Sequence, residues 1–269
     1  MSNDFSVAVL DSGIYPHPDF NNRIVYFKDF VNNRKFPYDD CGHGTHVCGI
    51  IAGNGFSSGG KIHGMCPDAK LVVLKVLDKK GNGRIENVIN ACEWILKNYE
   101  SLKIRIVNIS FGTTTYGISS DGARLVEVTE QMWNKGIIVV AAAGNDGPHK
   151  YTIAIPGTSK KIITVGSPDG RTFYSGRGPT YECIVKPDVL VNGSSIISCS
   201  NRGSGYSIKS GTSMSAPIVS GAIACLLKKK DFTQKQIKQR IKASIDKNSL
   251  KDNPQGNGLL NLNLFLTIT

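Results

Sequence analysis

The chain has 269 residues, 40% of them apolar and 20% charged, with a formal net charge of +11. That composition suits a soluble domain with a sizeable core, and no apolar run of about eighteen residues offers a membrane span. The cationic excess forms no long block and no aromatic-basic interleaving, so nucleic acid is not an expected partner. A solvated helix face is the expectation for its densest part, residues 228–242. The N-terminus, Met1-Ser2-Asn3-Asp4, has no basic segment followed by an apolar one, so no signal peptide is expected there.

In chain order, residues 6–10 (Ser-Val-Ala-Val-Leu) form a short apolar run ended by Asp11-Ser12-Gly13, which predicts a buried strand and a turn. Similar runs at 71–76, 104–109, 137–143 and 162–165 predict four more strands. Between the second and third, Ile85, Val88, Ile89, Cys92, Ile95 and Leu96 recur at three and four, the spacing of an amphipathic helix. Leu125, Val128 and Met132 repeat that pattern more weakly. Late in the chain, Thr233 is placed to cap a helix burying Ile237 and Ile241. Apolar strands alternating with helices predict an α/β fold, a three-layer sandwich whose mostly parallel central sheet is flanked by helices. No repeat, linker or low-complexity segment interrupts it, so a single domain over residues 1–269 is expected.

Seven cysteines, at 41, 48, 66, 92, 183, 199 and 225, are odd in number and irregular in spacing, which excludes a complete disulfide framework. Cys92 and Cys225 fall on apolar helix stripes and read as core residues. Free thiols favour a reducing compartment, so the cytoplasm is the expected location and a secreted mature domain the alternative.

Three segments carry chemistry. Asp11 ends the first strand. His43 lies in Gly42-His43-Gly44-Thr45-His46-Val47-Cys48-Gly49, and Ser213 in Ser210-Gly211-Thr212-Ser213-Met214-Ser215-Ala216-Pro217, each where an apolar helix begins. Acyl transfer needs a hydroxyl nucleophile, an imidazole to take its proton and a carboxylate to fix the imidazole tautomer. At a helix N-terminus, a serine also offers its own N–H and the helix dipole to a developing oxyanion. Gly211 lets the backbone approach a substrate without a side chain in the way. Asn145 follows a buried strand in a glycine-flanked turn, which presents its amide.

Metal readings are weaker. Cys41, His43, His46 and Cys48 cluster in sequence, but zinc pairs more often use C-x-x-C or H-x-x-x-H spacing. Residues 78–83 lack the alternating acidic ligands and closing glutamate of a calcium loop. His17, His63 and His149 are expected to be ordinary surface or turn residues.

In the order Asp, His, Ser, these segments resemble the subtilisin family over almost the whole chain. The matching stretches are residues 9–14 (Val-Leu-Asp-Ser-Gly-Ile), 42–49, 108–112 (Asn-Ile-Ser-Phe-Gly), 141–147 (Ala-Ala-Ala-Gly-Asn-Asp-Gly), 211–217 and the tail 256–261. The resemblance implies a serine endopeptidase acting through an acyl-enzyme, with Asp11, His43 and Ser213 as triad and Asn145 as oxyanion donor. No cofactor is implied for the chemistry. Gly81-Asn82-Gly83 and Ser110-Phe111-Gly112 would pair with an extended peptide or protein substrate. By the same resemblance Ser110, Phe111, Gly112, Ala142, Ala143 and Gly144 wall the S1 pocket, with Ala154 near its base. No acidic residue stands in those segments, so a large apolar P1 side chain is expected. Ile85 and Val88 would line S4, Cys41 would stand on the S2 wall, and His46 would be a structural partner within its helix. A propeptide or protein inhibitor is a further implied partner.

The chain also departs from that pattern. Few residues precede the first strand, where longer members of the family supply a calcium ligand, so that site is not expected. Structural calcium elsewhere stays open, with no metal ligand assigned. Val191-Asn192-Gly193 stands where relatives often have Ala-Pro-Gly. A dedicated maturation protease or transpeptidase, and a non-catalytic binding module, are the alternatives; four intact site residues weigh against the last.

Overall fold

The structure is a computed structural model and describes residues 4–113, 120–168, 173–246 and 255–268. Each of the five apolar runs forms a strand, and the helical stripes fall between them. In chain order come β1 (Ser6–Asp11), β2 (Ile24–Asp29), α1 (His43–Ala52), β3 (Lys70–Lys75), α2 (Ile85–Asn98), β4 (Ile104–Ile109) and α3 (Ser120–Asn134). Then follow β5 (Ile138–Ala142), β6 (Ile163–Gly166), β7 (Val189–Leu190), β8 (Ile196–Cys199), β9 (Tyr206–Lys209) and α4 (Thr212–Lys229). The chain closes with α5 (Gln234–Ala243), β10 (Ile245–Asp246), β11 (Leu259–Leu260) and α6 (Leu262–Leu266).

Among the described residues nine strands make one sheet, ordered β10-β11-β7-β6-β5-β4-β1-β3-β2. Every pair in it is parallel except β10 with β11. Every residue of β1, β5 and β6 is buried, so both faces are covered. The cover is α1 packed on α4 and α2 packed on α3. Burial of each Val, Leu or Ile stabilises the fold by roughly 1.5–3 kcal/mol. No helix among the described residues is long and apolar enough to cross a membrane.

Local signals hold at the late helix. The Thr233 hydroxyl accepts from Gln236 N–H in a capping box, and Ile237 and Ile241 are buried. The basic stretch around it is a solvated face in part: Lys229, Lys230, Lys235 and Lys242 are exposed, whereas Lys228, Lys238 and Arg240 are half-buried. Lys238 donates to the carbonyls of Lys160, Lys161 and Ile162, and lies 3.0 Å from Asp188 Oδ1. Lys228 pairs with Asp68, and Arg240 donates to the carbonyl of Phe265. These three cations therefore tie α4 and α5 to neighbouring segments. Cys92 is fully buried, whereas Cys225 is only half-buried.

The antiparallel hairpin β8–β9 stands apart from the main sheet and packs against α1. It delivers the chain to α4.

Candidate active site

β1 runs one residue beyond its apolar stretch, so Asp11 is held by the sheet itself, and its side chain is completely buried. Its Oδ1 accepts Ser12 N–H at 2.7 Å and lies 2.7 Å from His43 Nδ1. Nδ1–H therefore donates to the carboxylate and Nε2 keeps its lone pair. His43 opens α1, and α1 comes this close because Gly44 has no side chain. A Cβ there would stand 2.2 Å from the Gly13 carbonyl oxygen. Burial alone would lower the His43 pKa, but the charge and hydrogen bond of Asp11 outweigh it and raise it above 6.5. Lys209 opposes that rise.

Asp39 fixes the start of α1. Its carboxylate accepts the N–H groups of Cys41, Gly42 and Thr45 and the hydroxyls of Ser12 and Thr45, at 2.6–3.1 Å. Burial would raise the Asp39 pKa, but these bonds, that of Thr45 foremost, hold it below the usual carboxylate range. Beneath, the buried Lys75 donates to the carbonyls of Ser12 and Leu77 and to Asp40 Oδ1, at 2.6–2.8 Å. This cation joins the turn after β1 to the segment after β3.

Ser213 is the second residue of α4. Its neighbour Thr212 gives both N–H (3.0 Å) and hydroxyl (3.1 Å) to Asn145 Oδ1. That fixes the amide, leaving Nδ2 as the free donor. Gly211 has φ 144°, which is why the turn needs glycine; a Cβ there would only touch Asn145 Nδ2, at 3.4 Å.

His43, Asn145 and Ser213 share one cleft of about 410 Å³. Cys41, Gly81, Ser110, Phe111, Gly112, Ala142, Gly144 and Ala154 line it too. Next to it, a hollow of about 280 Å³ is lined by Gly81, Asn82, Gly83, Ile85, Val88, Phe111 and Gly112, with Leu125 and Ile155. Ala143 stands behind the wall: it is fully buried, and its carbonyl accepts Ala154 N–H at 2.9 Å.

Sequence reasoning missed Lys80, Lys209, Asp146 and Leu77, which also line the cleft. Asp146 is exposed, so the one acid in the lining sits at the rim. Glycine spacing could have flagged Asp146, adjacent to Asn145, but nothing local points to Lys209.

Two histidines behave differently from the triad candidate. His46 is buried in α1, and its Nε2–H is shared by the carbonyls of Ile196 (3.1 Å) and Ser207 (3.0 Å). Burial pushes its pKa down to about 4, so at neutral pH it is an uncharged strut. His17 keeps the turn-like position expected of it, as the cap of a short 3-10 helix (Pro18–Arg23), but it is buried and not at the surface. Its Nε2 reaches the Gly205 carbonyl at 3.0 Å, and its Nδ1 accepts Asp19 N–H at 3.2 Å.

Residues 78–83 do not fit calcium. Asp78 Oδ1 accepts the N–H groups of Lys80 and Asn82 at 2.8 and 3.0 Å, the pattern of a side chain bracing a turn. Among the described residues, the one group of three acidic, His or Cys side chains able to share an ion is His17, Asp19 and Cys199. Its nitrogen and sulfur donors are wrong for calcium.

The subtilase family model matches residues 2–258. Serine protease AprX of Bacillus subtilis (strain 168) is 40% identical over 285 residues, covering 95% of this chain and 64% of AprX. Subtilisin E of the same organism is 36% identical over 246 residues, covering 88% and 59%. Among solved structures, a cold adapted subtilisin-like serine proteinase superposes with a TM-score of 0.78 at 28% identity, covering 96% of this chain and 86% of that one. The chain thus spans less than two thirds of the length of these two curated relatives.

Proposed function

This chain belongs to the subtilase family, and on that premise we propose that it is a serine endopeptidase with Asp11, His43 and Ser213 as its triad. The observation carrying this reading is the 2.7 Å contact of Asp11 Oδ1 with His43 Nδ1, in an imidazole that shares its cleft with Ser213 and Asn145.

In this mechanism His43 Nε2 takes the proton of Ser213 as Oγ attacks the scissile carbonyl carbon. Asp11 holds the imidazole in the Nε2-basic tautomer and stabilises the imidazolium. The oxyanion is met by Ser213 N–H, at the positive end of α4, and by Asn145 Nδ2. His43 returns the proton to the leaving amine. Water then repeats the sequence on the acyl-enzyme. No cofactor enters these steps.

Substrate would lie extended between Gly81-Asn82-Gly83 and Ser110-Phe111-Gly112, paired through its backbone. We assign S1 to the wall formed by Ser110, Phe111, Gly112, Ala142 and Gly144 with Ala154, S4 to Ile85 and Val88, and the S2 side to Cys41. The small, uncharged S1 lining supports a large apolar P1. A propeptide or protein inhibitor would use the same edge. The shared core supports one domain, and the seven free thiols support a reducing compartment.

A chromogenic peptide library tests this reading. The chain should cleave peptides with Phe or Leu at P1, and Ser213→Ala should lose several orders of magnitude in kcat. Near-parental turnover in Ser213→Ala would sink the triad assignment, and strict Arg or Lys at P1 the pocket assignment. Thiol titration of the isolated protein tests the compartment: seven reactive thiols on unfolding are expected, and fewer would contradict it.

A further inference from the structure

We propose that His17, Asp19 and Cys199 form a binding site for a borderline-soft divalent metal ion of the zinc type. His17 caps, and Asp19 lies in, the short 3-10 helix Pro18–Arg23 between β1 and β2, and Cys199 ends β8. All three are buried, at 1%, 0% and 2% exposure, and their donor atoms lie within 4.8 Å of one another. His17 Nδ1 is 3.6 Å from Asp19 Oδ1, and Cys199 Sγ is 3.6 Å from Asp19 Oδ2. Ligand bonds of about 2.0–2.3 Å set donor atoms about 3.3–3.8 Å apart in a tetrahedron. His17 and Cys199 each meet that spacing, one at each oxygen of Asp19, so a bound ion would draw on a bidentate or slightly turned carboxylate.

The surroundings are those of a ligand set. His17 Nε2–H is anchored on the Gly205 carbonyl, which leaves the Nδ1 lone pair facing Asp19. A metal-bound histidine almost always donates its other N–H in this way. The Asp19 carboxylate is oriented by Ser57 N–H on Oδ1 (2.9 Å) and by the Tyr206 hydroxyl on Oδ2 (2.8 Å). The nearest cation, Arg23, is directed at the backbone carbonyls of Asp19, Ala52 and Ala69, not at that carboxylate.

Charge also favours the ion. A divalent cation with one thiolate, one carboxylate and one neutral imidazole sums to zero, which a buried site tolerates. Without the ion, the Cys199 thiol donates to Asp19 Oδ2 across 3.6 Å. On binding, the S–H bond breaks, the S–metal bond forms and the proton leaves to solvent. The long Asp19 N–H contact to His17 Nδ1 gives way, and the fourth position takes water. The ion would staple the β8–β9 hairpin to the loop after β1, behind α1.

The test uses the full chain as Ser213→Ala, to prevent self-digestion, with Cys41→Ser and Cys183→Ser removing the more accessible thiols. The chelator-stripped, reduced protein is titrated with cobalt(II) and then zinc. One cobalt per chain with a near-ultraviolet thiolate-to-cobalt band is expected, displaced by zinc with a rise in unfolding temperature. Cys199→Ser should abolish the band, and His17→Gln should weaken binding at least about tenfold. No band in the parent, or a band that survives Cys199→Ser, overturns the proposal. If Cys199→Ser fails to fold, unchanged affinity in His17→Gln is equally fatal. None of these readouts depends on proteolysis.

Discussion

His46 should make the fold acid-sensitive in a way that one substitution removes. In the folded chain its Nε2–H bridges β8 and β9, while Nδ1 is buried without a hydrogen-bond partner among the described residues. Protonation would put a second N–H where nothing accepts it, and burial accordingly holds the pKa at about 4 instead of 6.5. Between those values the unfolded chain binds the proton and the folded chain does not. The stabilisation is therefore complete above pH 6.5 and is lost as pH falls towards 4. At pH 4.5 the loss comes to about 2.5 kcal/mol. Gln keeps a donor at the same reach and does not titrate. Urea unfolding of Ser213→Ala, with and without His46→Gln, at pH 7 and pH 4.5 measures the difference. Both proteins share the acid-labile carboxylates, so the parent should lose about 2.5 kcal/mol more than the His46→Gln form. Equal losses would refute the reasoning.

Because Asp11 raises the His43 pKa, kcat/KM for peptide hydrolysis should fall below a midpoint above pH 6.5. Asp11→Asn should move that limb to lower pH and cost roughly ten-thousandfold in kcat, and an unmoved limb would remove Asp11 from the pair. Ile85→Asp should raise KM for peptides with an apolar P4 at least about tenfold and leave peptides lacking P4 unaffected; an identical profile counts against the S4 assignment. A bulky thiol reagent should inactivate the enzyme through Cys41, which lines the cleft beside His43, whereas Cys48 is buried. Protection in Cys41→Ser but not in Cys48→Ser is the expected result, and equally fast inactivation of Cys41→Ser contradicts it.

What the sequence revealed follows from where each element gets its stability. β1, β4 and β5 were legible because both sheet faces are covered, which requires unbroken apolar residues whatever the neighbours are. β2 was missed for the opposite reason. It is the edge strand, with Val25 and Tyr26 exposed and Lys28 breaking the apolar run, so little in it is constrained by burial. The Thr233 cap was readable because donor and acceptor are three residues apart. The burial of His17 was not legible because its anchor, the Gly205 carbonyl, lies 188 residues further on. The inward turn of Lys238 onto Asp188 and the loop at 160–162 is equally non-local.

The same division runs through the site. Asp11, His43 and Ser213 each carry a local signature, since a strand end and two helix starts demand particular neighbours such as Gly44 and Gly211. Lys209 does not: its bearing on His43 exists only because β9 folds back beside α1. A local motif can thus name the reacting groups, whereas the charges that tune them come from long-range packing. Lys209 opposes Asp11 at His43, so Lys209→Gln should raise the midpoint of the acid limb, the reverse of Asp11→Asn. Opposite displacements by the two substitutions would show that this imidazole is set by a balance no single segment encodes.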